Sequence, residues 1–266
     1  MGKPISLERL DGGIALLKLD RAEARNALTL AMVRELRAAV AELAADRGCR
    51  VIVLAADGHS FCAGLDLKIA VFGDEAARNT SEAMALQELF AGTILSLRRL
   101  PQPVIAAVQG AAVGAGFGIA LAADIRIAAP STNFLVGAVK IGLSAGECGI
   151  SYHLPRLIGA GRAFEIMLSG RAVAAEEAVA IGLVARVVDD AQLLDAALET
   201  ARAIAANSPY SIKHTKQLMW ANLQASSLEA ALELENHVQT VAMLSDDFKE
   251  GARAFAEKRA PDFRGM

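Results

Sequence analysis

The chain has 266 residues, and at roughly 100 to 200 residues per domain that is room for one large domain or two modest ones. Hydrophobic residues make up 54% and charged residues 21%, which excludes a disordered chain. A formal net charge of −3 leaves no basic excess for a nucleic-acid backbone, so no such partner is expected. The three cysteines, Cys49, Cys62 and Cys148, are odd in number and widely spaced, which argues against a disulfide framework and a Cys-based metal site. No metal is expected, and a reducing cytoplasm fits best. Met1 to Leu10 alternates polar and apolar residues without an apolar signal core, so no export signal is read there.

In chain order, Ser6 to Leu10, an Asp11-Gly12-Gly13 turn and Ile14 to Leu19 predict a hairpin. Thr29 is placed as the N-cap of a helix running to Ala45, whose positions Met32, Val33, Leu36, Val40 and Leu43 recur at helical spacing. Val51 to Ala55 reads as a buried strand, followed by a loop from Ala56 to Ala63. Ser81 to Leu100 reads as an amphipathic helix stopped by Pro101 and Pro103.

Val104 to Ala123 then runs twenty positions without a charge, long enough for a membrane span. Its Ala, Gly and Val content is better explained by a buried strand, Val104 to Val108, and a glycine-notched helix from about Val113 to Ala123, so no membrane is expected. Strand Ile125 to Ala128 follows. Alternation of strands and helices predicts an α/β core. Beyond Gly149 the helical segments Arg162 to Leu168, Ala175 to Ile181, Gln192 to Ala206, Ser211 to Ala225 and Leu228 to Leu244 dominate. The expected organisation is an α/β portion over 1–200 and a helical portion over 201–266.

Three glycine-containing stretches carry chemistry. Gly114-Ala115-Gly116-Phe117-Gly118 follows a strand and opens a helix, but its third glycine falls one position early for a dinucleotide fingerprint, and Ile119 takes the required place. What it offers is amide donors at a helix N-terminus. Asp57 to Leu67 is a loop of small residues after a buried strand. One amide from each stretch would hold a thioester oxygen as it becomes an enolate, a donor worth about 3 to 4 kcal/mol; tight packing of loop on helix accounts for the same residues.

The chain resembles the crotonase superfamily, the enoyl-CoA hydratases and isomerases, over its whole length. The resemblance runs through Leu19-Asp20-Arg21 with Arg25-Asn26-Ala27-Leu28, Gly58 to Leu67, Pro103 to Val108, Gly110 to Gly118, Asp124, and Lys140-Ile141-Gly142-Leu143. It continues through Leu154-Pro155-Arg156-Leu157-Ile158-Gly159, Gly182-Leu183-Val184 and a tail from Phe255 to Phe263. It implies a crotonase-like spiral of strand-strand-helix repeats with a helical C-terminal trimerisation region, as a homo-trimer or a dimer of trimers. Acyl-CoA is the implied substrate, with coenzyme A as part of it and no permanently bound cofactor. The implied oxyanion-hole amides are those of Ala63 and Ala115. The implied CoA contacts are Ala24, Arg25, Ala27, Ala63, Leu65 and Asp66, with Lys258 and Phe263 reaching a neighbouring subunit; as a solvated charge, exposed Lys258 has an ordinary reading too.

Hydration needs one group that activates water and one that protonates Cα. The resemblance sets the usual two glutamates at Gly118 and Ala138, neither of which transfers a proton. The nearest acid is Glu147, in the third stretch, Gly142 to Gly149. It is either a proton carrier or a cap on the helix expected from Gly149. His59 and His153 are minor candidates, and Asp66 is expected to fix its loop. Three readings stay open: an enolate-stabilising enzyme, a catalytically silent CoA-binding protein, and an enzyme with an external or substrate-supplied base in the space at Gly118.

Overall fold

The computed structural model describes residues 3–265. β1 (Ile5–Leu10) and β2 (Ile14–Leu19) form the expected antiparallel hairpin, Ile5 facing Leu19. α1 (Leu30–Ala45) starts where the Thr29 side chain accepts from the Met32 amide at 3.2 Å, and it buries the five apolar positions read from the sequence. β3 (Val51–Ala56) runs parallel to β2. α2 (Leu67–Phe72) and α3 (Thr80–Arg98) lead to β4 (Val104–Val108), which is parallel to β3.

The uncharged stretch is therefore cut into β4, a short β5 (Ala111–Val113) and α4 (Ala115–Ala122). Among the described residues no helix is long and apolar enough to cross a membrane. The helix starts two residues later than its apolar pattern suggests. The backbone turns at Gly114, with φ 50° and ψ −118°, a conformation closed to residues with a Cβ.

β6 (Ile125–Ala128), β7 (Asn133–Leu135), α5 (Ile150–Ile158), α6 (Ala160–Ser169), β8 (Ala172–Ala174), α7 (Ala175–Ala180) and β9 (Arg186–Val187) follow. The main sheet has the order β1-β2-β3-β4-β6-β9, and a small sheet the order β5-β7-β8. Both faces of the main sheet are covered at its centre, so β3 and β4 read as unbroken apolar runs rather than alternating ones. Leu17, Ile52, Leu54, Val104 and Ala106 face a core shared with α1, α3 and α4. Leu16, Val51, Val53, Ile105 and Ile127 face α8 (Leu193–Ala205). Ala197, Ala201 and Ala205 on α8, four residues apart, let it lie close on the sheet.

The division expected at 200 falls inside α8, which packs with the core. The helices after it are α9 (Pro209–Asn222), α10 (Leu228–Met243) and α11 (Asp246–Glu257). α9 buries only Lys216, whose ammonium lies 2.7 Å from an Asp124 carboxylate oxygen and donates to the Gln102 carbonyl at 2.8 Å. α10 buries no residue. Leu228, Leu232, Val241 and Leu244 stand exposed on or beside it.

Candidate active site

The loops after the parallel strands meet at one edge of the main sheet. Asn26, fully buried, joins two of them: its Oδ1 accepts from the Arg21 amide at 2.7 Å, and its Nδ2 donates to the Asp57 and Ser60 carbonyls at 2.9 and 2.8 Å. The Leu28 amide donates to the Gly64 carbonyl at 2.7 Å, and the Asp66 amide to the Leu28 carbonyl at 3.0 Å. These bonds bring the loop carrying Ala24, Arg25 and Ala27 against the one carrying Ala63, Leu65 and Asp66. Asp66 is held chiefly by an ion pair: its carboxylate sits 2.8 Å from Arg21 Nη1, and the guanidinium, with a smaller contribution from the Ile69 and Lys68 amides, keeps it ionised below the usual carboxylate range.

The same bonds correct one expectation. The Ala63 amide donates to the Arg25 carbonyl at 3.0 Å, so it has no N–H left for an oxyanion. Two residues on, the Leu65 amide makes no hydrogen bond with the described residues and borders the cavity. Gly64 makes this possible: with φ 84°, a Cβ there would stand 2.7 Å from the Val113 carbonyl oxygen and 3.9 Å from the Ala115 nitrogen. The loop thus lies directly on the start of α4, whose first amide, that of Ala115, is also unpaired among the described residues.

These amides border a cavity of about 280 Å³. Ala138 and Glu147 line it as well. No side-chain hydrogen bond is made by the Glu147 carboxylate to the described residues, and burial pushes its pKa up. Capping of α5 is done by backbone: the Ile150 amide donates to the Glu147 carbonyl at 2.8 Å, and the N-cap residue, Gly149, has no side chain to offer. The carboxylate is therefore spare.

Gly118 is filled, not vacant. A Cβ there would stand 2.6 Å from the Cys148 carbonyl oxygen and 2.7 Å from the Cys148 Cβ, which overturns the expectation of room for an external base. Cys148 also lines the cavity, but burial pushes its thiol up to about 12, so it is no nucleophile. Cys62 is likewise pushed up to about 12. His59 is exposed beside a different cavity with Lys18 and Asp190, and His153 is buried away from Glu147's cavity. No group of three or more His, Cys, Asp or Glu among the described residues is placed to hold a metal.

Lys258 and Phe263 do not join the site within one chain. Lys258 is exposed at the end of α11. The Phe263 carbonyl accepts from Arg50 at 2.8 Å, and Arg50 directly precedes β3, at the end of the parallel strands away from the site.

The family model for enoyl-CoA hydratase/isomerase matches residues 9–266. The chain belongs to the enoyl-CoA hydratase/isomerase family. This is the crotonase superfamily, whose members act on CoA thioesters. The chain is 46% identical over 253 residues to a Mycobacterium tuberculosis protein named "Probable enoyl-CoA hydratase EchA12", covering 94% of this chain and 89% of that one. To the 1,2-epoxyphenylacetyl-CoA isomerase of Escherichia coli it is 35% identical over 263 residues, covering 97% and 98%. The crystal structure of an enoyl-CoA hydratase from Bacillus anthracis superposes with a TM-score of 0.93 at 34% identity, covering 99% of this chain and all of that one. The crotonase fold is thereby established for this chain.

Two features of the site escaped the sequence. Leu65 was legible only as a CoA contact, because which of three adjacent amides is free depends on a pairing with a loop almost forty residues away. Asn26 carries a weak signal: a non-glycine residue at φ 54° is most often Asn or Asp.

Proposed function

We propose that this chain is an active acyl-CoA isomerase, which holds the thioester oxygen between the Leu65 and Ala115 amides and moves a proton with Glu147. The observation that carries the reading is the spare, buried Glu147 carboxylate facing the same cavity as two unpaired amides. Glu147 takes a proton from one carbon of the acyl chain. The C–H electron pair passes into the conjugated system, and the negative charge gathers on the thioester oxygen, where preorganised N–H donors stabilise it. The carboxylic acid then returns the proton to another carbon. No water enters the balance, so one acid suffices.

Hydration requires a second proton-transfer group. With glycine at 118 and alanine at 138, crotonyl-CoA hydration is expected to be slow, because each missing acid or base typically costs about 10²- to 10⁴-fold. The deciding experiment is steady-state isomerisation and hydration of short and medium enoyl-CoAs by wild type and Glu147→Gln. Isomerisation lost in the variant, with acyl-CoA affinity kept, supports the reading; fast wild-type crotonyl-CoA hydration overturns it. No turnover across the panel with intact binding would favour the second reading, a silent CoA-binding protein, which Gly118 and Ala138 motivate.

The assembly belongs to the same proposal: a homo-trimer or dimer of trimers built on the C-terminal helices, with Lys258 and Phe263 reaching the CoA of a neighbour. The exposed apolar side chains of α10 support it. A stable monomer by sedimentation at micromolar concentration would refute it.

A further inference from the structure

A second cavity, of about 630 Å³, lies further along α3 and shares no lining residue with the first. On α3, Gln87 and Phe90 line the first cavity, while Ala91, Ile94 and Arg98 line the second. These positions fall on one stripe of the helix. On the facing wall, Glu147 and Cys148 give way to Gly149 and then His153. The divide is one side chain thick: a Cβ on Gly149 would touch Ile94 Cγ2 at 3.4 Å, so the Ile94 side chain has to turn for an acyl chain to pass. From Gln87 to Arg98 the stripe is about 16 Å long at 1.5 Å per residue, the reach of a medium-length acyl chain.

The far end of this path is cationic. Lys216 and Arg98 both pair with Asp124, at 2.7 and 3.4 Å, and the Trp220 indole and Val104 amide donate to the same carboxylate at 2.8 Å. Arg126, buried nearby, donates only to the Leu183 and Ala123 carbonyls. Three cations therefore share one carboxylate, and no Asp or Glu lines the cavity among the described residues. Arg98 stacks on Trp220 and makes a single long side-chain hydrogen bond. Its remaining N–H donors are not sealed in protein. His153 borders the same space; it is 5% exposed, and its Nδ1 has no partner. Burial and the neighbouring Arg98, Arg126 and Arg156 push its pKa down to about 4, which keeps the ring neutral.

A guanidinium fork matches a planar carboxylate, and a half-buried cation in excess is relieved by an anion. Building on the CoA-thioester reading above, we infer that the second cavity receives the far end of the acyl chain and that the substrate class is a medium-length acyl-CoA ending in a carboxylate. Arg98 holds that carboxylate, and His153 offers a second polar contact.

Trp220 is the only tryptophan of the chain and lies against Arg98, so its fluorescence reports occupancy. The test titrates the full-length protein with sebacyl-CoA, the mono-thioester of a ten-carbon diacid, and with decanoyl-CoA, by fluorescence and calorimetry. The expected result is at least tenfold tighter binding of sebacyl-CoA with a change in Trp220 emission. Arg98→Gln should bring the two affinities within twofold. The wild-type comparison stands even where the variant fails to fold. Equal or tighter binding of decanoyl-CoA by wild type would overturn the inference. So would free sebacate displacing sebacyl-CoA as well as unlabelled sebacyl-CoA does, since the carboxylate site would then lie off the acyl path. Binding of neither thioester would overturn the CoA reading itself, and this inference with it.

Discussion

The Glu147 carboxylate lies against Gly114: its Oε1 is 3.1 Å from where a Cβ on Gly114 would stand. Gly114 immediately precedes Ala115, the residue whose amide opens α4. The proposed proton carrier and a proposed enolate-stabilising amide are thus packed side by side, and the glycine between them is what lets them approach. Gly114→Ala should cost about 1 to 3 kcal/mol through its positive φ and lower kcat beyond what partial unfolding explains. Thermal melts alongside turnover at saturating substrate would separate the two effects.

In the proposed reaction Glu147 sets the pH dependence. A base must be ionised, and burial without a hydrogen-bond donor raises its pKa. Turnover should therefore fall as pH drops through an inflection above the ordinary glutamate range. In Glu147→Gln, turnover should fall by about 10²- to 10⁴-fold, with no such inflection in what remains. Stability runs the other way. A carboxyl whose folded pKa is raised contributes fully below its unfolded pKa, and that contribution is lost as pH rises through the folded one. The glutamine variant should melt above wild type at pH 8 and level with it at low pH, which calorimetry at the two pH values would check.

Restoring a glutamate at 118 should not create a hydratase. Its Cβ would collide with the Cys148 carbonyl oxygen at 2.6 Å, and overpacking a tight site costs about 1 to 3 kcal/mol or more. Gly118→Glu is expected to lower the melting temperature without raising crotonyl-CoA hydration. A faster hydration rate in a folded variant would show that the 146–149 loop yields.

Asn26→Ala should weaken both fold and ligand binding. It strips partners from the Arg21 amide and the Asp57 and Ser60 carbonyls, and each polar group left buried costs about 1 to 3 kcal/mol. Urea unfolding should show the loss. Acyl-CoA affinity should fall together with it, because Asn26 anchors the loop whose Ala63, Gly64 and Leu65 border the cavity.

Lys216→Met tests the attachment of α9. Removing one partner of a buried ion pair typically costs about 3 to 5 kcal/mol, and Asp124 would keep only Arg98, Trp220 and a backbone amide. Hydrogen exchange should rise across residues 209–222 while β3 and β4 stay protected.

Residues with purely local signals were legible in the sequence alone. The Thr29 cap and α1 follow from one side chain and a 3.6-residue period. β3 and β4 follow from short β-branched runs, and the family follows from many ordered motifs between Leu19 and Phe263. Tertiary structure decided whatever depends on a pairing between distant segments. The Ala63 amide is spent because the Arg25 loop folds over it, and this passes the donor role in the proposal to Leu65. Gly118 looked like a vacancy because its filler, Cys148, arrives from thirty residues downstream. Glu147 stood evenly between cap and proton carrier, since both roles use a carboxylate before a helix. Only the folded chain shows the backbone carbonyl making the cap and the side chain left free. A sequence records which groups exist; which of them remain unpaired is decided by the hydrogen bonds that distant loops make when they close on one another.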